Sequence, residues 1–213
     1  MDRSRVVIVI PALNESASIV GVVEAAARYG IPIVVDDGST DNTAALATQA
    51  GAMVVSHESN QGYDAALNAG FKKAAELGSE IIITIDADGQ HDPSLIQKFV
   101  NAIDAGADVV VGIRSRRQRF AEHIFAWYTH WHFGIKDPLC GMKAYRTVVY
   151  EVLGHFDAYG SIGTELTIFA AKRGYRLGQI EFEVREREGQ SRFGQVLAGN
   201  YKILRSIFIA TTY

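Results

Sequence analysis

Residues 81–93 read IIITIDADGQHDP. The β-branched apolar run at 81–85 is typical of a fully buried strand of a parallel sheet. Asp86 and Asp88 follow at its carboxyl end, where open α/β sheets bind their ligands. If the strand continued, both carboxylates would point to one face, and their hard oxygens would suit Mg²⁺ or Mn²⁺ bridged to phosphate groups. The competing interpretation is an acidic turn before a helix at Pro93, and residues elsewhere in the chain distinguish the two.

The first 112 residues alternate between short apolar runs and segments with helical spacing. Further buried-strand runs lie at 6–10, 31–35, 54–55 and 108–111. This alternation predicts βαβ units, and therefore a Rossmann-like α/β fold with a mostly parallel sheet flanked by helices. The length of 213 residues suits a single domain, which we divide into halves at 1–112 and 113–213.

Polar side chains follow three of these strands. The pairs are Asn14 with Glu15, Asp36 with Asp37, and Asp86 with Asp88. Because the carboxyl ends of parallel strands share one edge of a sheet, the three loops can converge on one ligand. Neither G-x-x-x-x-G-K-[ST] nor G-x-G-x-x-G after the first strand is present. The pattern thus favours a nucleotide site whose phosphates are held by a metal rather than by a glycine-rich loop.

A basic run and an aromatic segment follow Gly112. The run contains Arg114, Arg116, Arg117 and Arg119. Because the planar guanidinium matches phosphate bidentately, it indicates an anion site, with a solvated basic turn as the alternative. The segment at 120–133 predicts a helix with one broad apolar side, formed by Phe120, Ile124, Trp127, Tyr128 and Trp131.

Bulk properties narrow the partners and the location. The net charge of -3 gives no reason to expect nucleic-acid binding, and the single Cys140 fits a reducing compartment. No run approaches the ~20 apolar residues that cross a bilayer, and the start is too short to be a signal peptide. The amphipathic C-terminal segment, 193–213, predicts a helix that packs in the core or lies on a membrane surface. We therefore expect a cytoplasmic protein, in which any membrane contact is peripheral and at the cytoplasmic face.

These residues together resemble glycosyltransferase family 2, the inverting nucleotide-sugar enzymes with the GT-A fold. The similar motifs are VIPALNE at 9–15, VDDGSTDNT at 35–43, N-x-G at 60–62 and DAD at 86–88. Within the family the chain looks most like the polyprenyl-phosphate branch typified by dolichol-phosphate mannose synthase. The motifs that point to this branch are QH at 90–91, D-P-x-x-G at 137–141, KAYR at 143–146 and REGQSR at 187–192.

The resemblance implies a mixed, mostly parallel sheet and several groups of site residues. The nucleotide would be bound by Pro11, Leu13, Glu15, Asp37 and Asp86. Mg²⁺ or Mn²⁺ would be held by Asp86, Asp88 and Gln90. The diphosphate and the acceptor would be bound by Arg114, Arg119, Arg187 and Arg192. The catalytic residues would be Asp88, Arg114 and Glu165.

The implied activity is transfer of a sugar from a GDP- or UDP-linked donor to a polyprenyl phosphate, either dolichyl or undecaprenyl phosphate. A membrane surface or a membrane-anchoring partner would then bring the acceptor. An alternative is transfer to a sugar hydroxyl, which needs a general base, and Glu165 is the candidate. A helix N-terminal carboxylate favoured by the helix dipole is the plainer interpretation of Glu165. A non-catalytic nucleotide-sugar-binding protein is less consistent with the presence of both Asp86 and Asp88.

Overall fold

The computed structural model describes residues 3–115 and 120–184, together with residues 203, 205 and 206. The strands are β1 (Val6–Ala12), β2 (Ile31–Asp36), β3 (Met53–Ser56), β4 (Ile81–Thr84), β5 (Val109–Arg114), β6 (Lys143–Arg146) and β7 (Leu177–Phe182). The α-helices are α1 (Ile19–Ala26), α2 (Thr43–Gln49), α3 (Tyr63–Glu76), α4 (Ile96–Asp104), α5 (Phe120–Phe133), α6 (Thr147–Leu153) and α7 (Glu165–Lys172). Short 3₁₀ turns, Arg3–Arg5 and Pro93–Leu95, precede β1 and α4.

These strands form one mixed sheet in the order β3-β2-β1-β4-β6-β5-β7. β1 pairs in parallel with β2 and β4, β2 with β3, and β5 with β7. β6 lies between β4 and β5 and is antiparallel to both, so β4 and β5 run in the same direction. The prediction of a mostly parallel, mixed α/β sheet flanked by helices is confirmed.

Alternate residues of β1, a strand inside the sheet, enter cores on opposite faces of the sheet. Ile8 and Ile10 belong to a core that includes residues of α1 and α4, and Val7 and Val9 to one that includes residues of α3 and α5. Gly70 in α3 lies directly against Val9, in a space that a Cβ atom would fill. The near-continuous apolar runs in the sequence reflect this burial on both faces.

The direction of each strand determines which loops lie together at one edge of the sheet. β1, β2, β4 and β5 all end at the same edge, which we call the carboxyl edge. β6 runs the other way and begins there, with Lys143 opposite Thr84. The antiparallel strand therefore brings the segment 137–142 to the same edge as the loop after β4.

The structure corrects two sequence-based expectations and bears in part on two more. β4 ends at Thr84, so Asp86 and Asp88 lie in the following turn rather than on a continued strand. The predicted aromatic helix is present as α5, but Phe120, Trp127 and Trp131 are exposed while Tyr128 is half-buried. Ile203, Arg205 and Ser206 are helical, and the rest of the predicted C-terminal helix lies outside the described residues. The proposed boundary at residue 112 falls inside β5.

None of the helices within the described ranges has the length and apolar character needed to cross a bilayer.

Candidate active site

The loops after β1 and β2 are tied together by side-chain hydrogen bonds. Asn14 adopts left-handed backbone with φ of 48°, and its N–H donates to Ser39 Oγ at 2.7 Å. Asn14 Oδ1 accepts from the N–H of Thr40 at 2.7 Å, and the N–H of Glu15 donates to Thr43 Oγ1 at 2.8 Å. Many of the polar groups at 14–15 and 39–43 therefore stabilise the two loops themselves. These loops form the part of the candidate site that follows β1 and β2.

Asp36, the last residue of β2, and Asp37, the residue after it, have different surroundings. Asp37, predicted to bind the nucleotide, forms a 2.7 Å hydrogen bond with His57 Nδ1 and accepts from the N–H groups of Gln61 and Gly62. Asp36 Oδ1 is buried and has no hydrogen-bond partner among the described residues. An unsatisfied buried acceptor is costly, so a ligand that donates a hydrogen bond there would be favoured. Asp37 stays a predicted ligand, and Asp36 is a second candidate, signalled in the sequence only by the doubled aspartate.

The turn after β4 is held in place from several sides. Ser18 Oγ donates to the carbonyl oxygen of Ala87 at 2.7 Å, which fixes the turn to the start of α1. The N–H of Gln90 donates to Asp88 Oδ1 at 3.1 Å, and the N–H of Asp86 donates to His91 Nδ1 at 3.3 Å. Asp88 is buried, whereas one third of the Asp86 side chain is exposed. One carboxylate thus lies inside the turn and the other at its surface.

Gly141 packs against the carboxylate of Asp86. A Cβ atom at residue 141 would lie 2.5 Å from Asp86 Oδ1, closer than real Cβ contacts. The approach is fixed by β6, because Thr84 Oγ1 donates to the carbonyl oxygen of Gly141 at 2.6 Å and accepts from the N–H of Lys143. Because the glycine of the D-P-x-x-G motif has no side chain, the Asp86 carboxylate can occupy the space beside it.

The donor set at this turn fits a divalent cation bound together with a diphosphate. No group of three or more His, Cys, Asp or Glu side chains suited to a metal occurs within the described ranges. Mg²⁺, however, commonly takes only one or two protein carboxylates and completes its shell with substrate phosphates and water. Asp86 and Asp88 supply such oxygens, and the absence of a Cβ atom at Gly141 leaves room for the Asp86 carboxylate. Their role as ligands, with that of Gln90, stays a prediction.

Arg114 is engaged inside the protein. Its Nε and Nη2 atoms donate to the two oxygens of Asp137 at 2.8 and 2.9 Å, and Nη2 lies 3.2 Å from Glu122 Oε2. Burial disfavours the charged guanidinium, but the hydrogen bonds to Asp137 outweigh it and keep the pKa of Arg114 above its usual value. A phosphate group would have to compete with two carboxylates, so the predicted anion-binding role of Arg114 would require this pairing to rearrange.

The pairing leads to a prediction about stability. Changing Asp137, whose side chain is almost fully buried, to asparagine should lower the free energy of unfolding by about 2–4 kcal/mol, because the Arg114 charge loses its main partner. The matched control is Asp104→Asn, which weakens the more exposed pair with Arg5 and should cost less than about 1 kcal/mol. Urea unfolding curves compare the two variants, and equal losses would contradict the structural importance of the Asp137 pair.

A buried charged cluster joins the two halves of the chain. Lys143 Nζ donates to the carbonyl oxygen of Gly163 at 2.7 Å, and burial lowers the pKa of Lys143 to about 8. Asp157 accepts from the N–H groups of Ser161 and Gly163. Burial and the nearby Asp157 raise the pKa of Asp64, in the first turn of α3, to about 6. Through Lys143 at the start of β6, the cluster holds the loop 157–164 near the carboxyl edge, and α7 follows directly.

Glu165 begins α7 with both carboxylate oxygens occupied. Oε1 is 2.7 Å from His155 Nε2, and Oε2 accepts from the N–H of Ala158 at 2.6 Å. The side chain borders a cavity of about 290 Å³ that is also lined by Lys172 and Arg173, and whose lining does not include the residues of the D-x-D turn. The position of Glu165 in the first turn of α7 matches the helix N-terminal role, and its two contacts attach this end of the helix to the segment 155–158. Its use as a base stays a prediction.

The remaining predicted site residues divide into two sets. Pro11 and Leu13 are half-buried and Glu15 is buried at the end of β1 and in the loop after it. Arg119, Arg187 and Arg192 lie outside the described residues. The structure therefore brings the nucleotide and metal candidates to one edge of the sheet. Of the four predicted phosphate-binding arginines it describes only Arg114, and the roles of all four stay predictions.

Comparison with known proteins identifies the class of protein. A carboxylate-bearing turn at the carboxyl edge of a mixed α/β sheet, without a glycine-rich phosphate loop, suits a nucleotide-sugar glycosyltransferase. A family model described as glycosyl transferase family 2 matches residues 7–163. The chain belongs to glycosyltransferase family 2.

Relatives of known name lie in the predicted branch. The chain is 31% identical to polyprenol monophosphomannose synthase of Mycolicibacterium smegmatis, over 86% of this chain and 78% of the relative. It is 31% identical to dolichyl-phosphate hexose transferase of Haloferax volcanii, over 82% and 78% of the two chains. It is 34% identical to a UDP-N-acetylglucosamine–dolichyl-phosphate N-acetylglucosaminyltransferase of Methanococcus voltae, over 84% and 85%. The resemblance to the polyprenyl-phosphate branch is confirmed.

Solved structures agree on the fold. Glucosyl-3-phosphoglycerate synthase of Mycobacterium tuberculosis, crystallised with Mn²⁺, uridine diphosphate and phosphoglyceric acid, superposes with a TM-score of 0.79. The match covers 97% of this chain and 78% of that one, at 23% sequence identity. At this identity the likeness establishes the GT-A fold alone.

Proposed function

We propose that this glycosyltransferase moves a sugar from a nucleoside-diphosphate sugar to a polyprenyl phosphate, with inversion at the anomeric carbon and with a divalent metal. The observation that carries the proposal is the turn after β4 at the carboxyl edge, where Asp86 packs against Gly141 and Asp88 lies two residues further on. The names of the relatives, which specify polyprenol and dolichyl phosphate, support the acceptor class.

The donor would lie across the loops of the carboxyl edge. Pro11, Leu13 and Glu15 after β1, with Asp37 after β2, would surround the base and ribose, and the unsatisfied Asp36 Oδ1 offers a further acceptor. A Mg²⁺ or Mn²⁺ ion held by Asp86, Asp88 and Gln90 would offset the charge that develops on the departing diphosphate. The protein groups would thereby orient the sugar with its anomeric carbon facing the acceptor side.

The acceptor needs orientation rather than deprotonation. One phosphate oxygen of the polyprenyl phosphate, already anionic near neutral pH, forms the new bond to the anomeric carbon while the bond to the nucleoside diphosphate breaks. No proton moves in this exchange, so no general base is required. Arg119, Arg187 and Arg192, and Arg114 if its pairing rearranges, would counter the repulsion between the two phosphate groups. A single displacement of this kind inverts the anomeric carbon.

A product assay tests the proposal. Radiolabelled GDP-mannose, UDP-glucose and UDP-N-acetylglucosamine are each incubated with the protein, Mg²⁺ or Mn²⁺, and undecaprenyl or dolichyl phosphate in detergent. We expect label from one donor to enter the organic phase, and NMR of the product to show a β-linked sugar from an α-linked donor. Label recovered only as a water-soluble oligosaccharide would overturn the lipid-phosphate acceptor in favour of a sugar hydroxyl.

Substitution of Glu165 distinguishes a phosphate acceptor from a sugar hydroxyl acceptor. With a phosphate acceptor, Glu165→Gln should lower kcat by less than about tenfold, because the reaction removes no proton, whereas loss of a general base typically costs 10²–10⁴-fold. The measurement is kcat with the donor and acceptor identified above, with the thermal unfolding midpoint recorded to account for the lost contacts to His155 and Ala158. A loss of 10²-fold or more in a folded variant would favour the hydroxyl-acceptor alternative.

A further inference from the structure

The helix α5 presents an uncovered stripe of large apolar side chains. Phe120, Ile124, Trp127 and Trp131 follow one another at helical spacing and define what we call the α5 stripe. Phe120 and Trp131 are 77% exposed and Trp127 is 68% exposed. Large aromatic side chains grouped in this way on a surface mark a contact site, because isolated exposed apolar residues are ordinary but contiguous ones are not.

The stripe is a fixed feature of the fold. The opposite side of the helix is buried through Ala121, Phe125, Ala126 and Thr129, and Phe125 belongs to the same core as Phe71 and Tyr145. Thr129 Oγ1 also donates to the carbonyl oxygen of Ile135, which anchors the end of the helix. Rotating the helix to bury the stripe would expose this core, so the stripe faces outward as a consequence of how α5 is packed.

The composition of α5 and of the sequence just before it favours an anionic partner. The one acidic residue of α5, Glu122, is buried and lies 3.2 Å from an Nη2 atom of Arg114. The remaining polar side chains exposed on the helix include His123, His130 and His132. In the sequence, Arg116, Arg117 and Arg119 come directly before Phe120. A basic run joined to an apolar helical face with tryptophans is the composition of helices that lie in the headgroup region of a bilayer.

The dimensions suit a bilayer better than a second copy of the chain. The stripe runs along about 16 Å of helix. From the usual area of aromatic side chains, its exposed surface is roughly 500 Å². A stable protein–protein interface needs about 800 Å² from each partner. A helix in the bilayer interface, by contrast, inserts only its apolar face and needs no matching surface.

The position of the helix connects the stripe to the site. Arg114 ends β5 at the carboxyl edge, and Glu122 in the first turn of α5 is paired with it. The amino-terminal end of the stripe is therefore fixed to the edge of the sheet that carries Asp86 and Asp88. We infer that the α5 stripe docks this enzyme on the surface of an anionic lipid bilayer, an inference that rests in part on the proposed lipid-phosphate acceptor. Docking there would hold the carboxyl edge close to the headgroup layer in which such an acceptor presents its phosphate.

Vesicle binding tests the inference without using the acceptor. The full chain is sedimented with vesicles of phosphatidylcholine and phosphatidylglycerol that contain no polyprenyl phosphate, and with vesicles of phosphatidylcholine alone. We expect binding to the anionic vesicles, and at least about tenfold weaker binding for the double variant Trp127→Gln with Trp131→Gln. Both side chains are exposed, so folding should be retained, which circular dichroism and thermal unfolding verify.

The matched control is Val148→Gln with Val152→Gln, which removes two exposed apolar side chains from α6 and should leave vesicle binding unchanged. Failure of the unaltered chain to bind anionic vesicles, or equal binding by the tryptophan double variant, would overturn the inference. So would a dimer in light scattering that the tryptophan variant dissociates, because the stripe would then cover a second copy. Vesicle binding that depends on the tryptophans, without sugar transfer to any polyprenyl phosphate, would support the docking surface and refute the proposed acceptor.

Discussion

Asp88→Asn is expected to lower kcat/KM by about 10³-fold or more, since an ion that offsets the leaving diphosphate supplies several kcal/mol and each 1.36 kcal/mol is tenfold in rate. The asparagine keeps an oxygen that can accept from the N–H of Gln90, so the turn after β4 should retain its shape. The substitution therefore removes mainly the negative charge of the side chain. The measurement is kcat/KM over a titration of Mg²⁺ and Mn²⁺, and the variant should also need more metal for half-maximal activity.

The control uses the same substitution far from the site. Asp104→Asn lies at the end of α4, where Asp104 pairs with Arg5 just before β1, at the edge of the sheet opposite the carboxyl edge. It should leave kcat/KM and the metal dependence unchanged. Activity of the unaltered enzyme that persists in excess chelator would contradict the metal role of Asp86 and Asp88.

Gly141→Ala is expected to lower kcat/KM by about 10²-fold, because a misplacement of about 1 Å in a catalytic group can cost that much. The added Cβ would overlap the carboxylate of Asp86, which must move away. The backbone of Gly141 does not have a positive φ, so an alanine itself is unstrained there and the effect should come from the displaced carboxylate. The metal concentration for half-maximal activity should rise together with the loss of rate.

Gly21→Ala is the matched control for this substitution. Gly21 lies in α1, and a Cβ atom there would have no neighbour within 4 Å. This variant should keep full activity and gain stability by about 0.5–1 kcal/mol, the difference between glycine and alanine inside a helix. Unchanged activity and metal dependence in Gly141→Ala would show that Asp86 tolerates displacement, and would weaken its assignment as a ligand.

The order of strands and helices was largely predictable, because local periodicity carries it. The buried runs at 6–10, 31–35 and 81–85 became β1, β2 and β4, and their parallel direction followed from the helices between them. The place of β6 was not predictable. Lys143–Arg146 has only four residues, and its insertion between β4 and β5 depends on pairing with strands distant in sequence. The contact between Gly141 and Asp86 was not predictable either, because it depends on the position of β6 beside β4.

Within the candidate site, the sequence indicated residue types better than it indicated their partners. The basic run after Gly112 predicted an anion site, but Arg114 is bound by Asp137 and Glu122, which lie 23 and 8 residues away in the chain. Likewise, the resemblance pointed to Asp37, and the structure adds Asp36, which carries one of the two unsatisfied buried carboxylate oxygens among the described residues. Such distinctions depend on which donors reach a carboxylate after folding, and composition and spacing do not encode that.

The antiparallel position of β6 also bears on how the chain is made. During synthesis β2, β3 and β4 each emerge after a strand with which they pair, but β5 emerges before β6 and β7, the strands it pairs with. The apolar strand β5 therefore has both edges unpaired until Lys143–Arg146 has left the ribosome. A nascent chain whose emerged part ends between residues 115 and 142 should therefore be the species most in need of a chaperone.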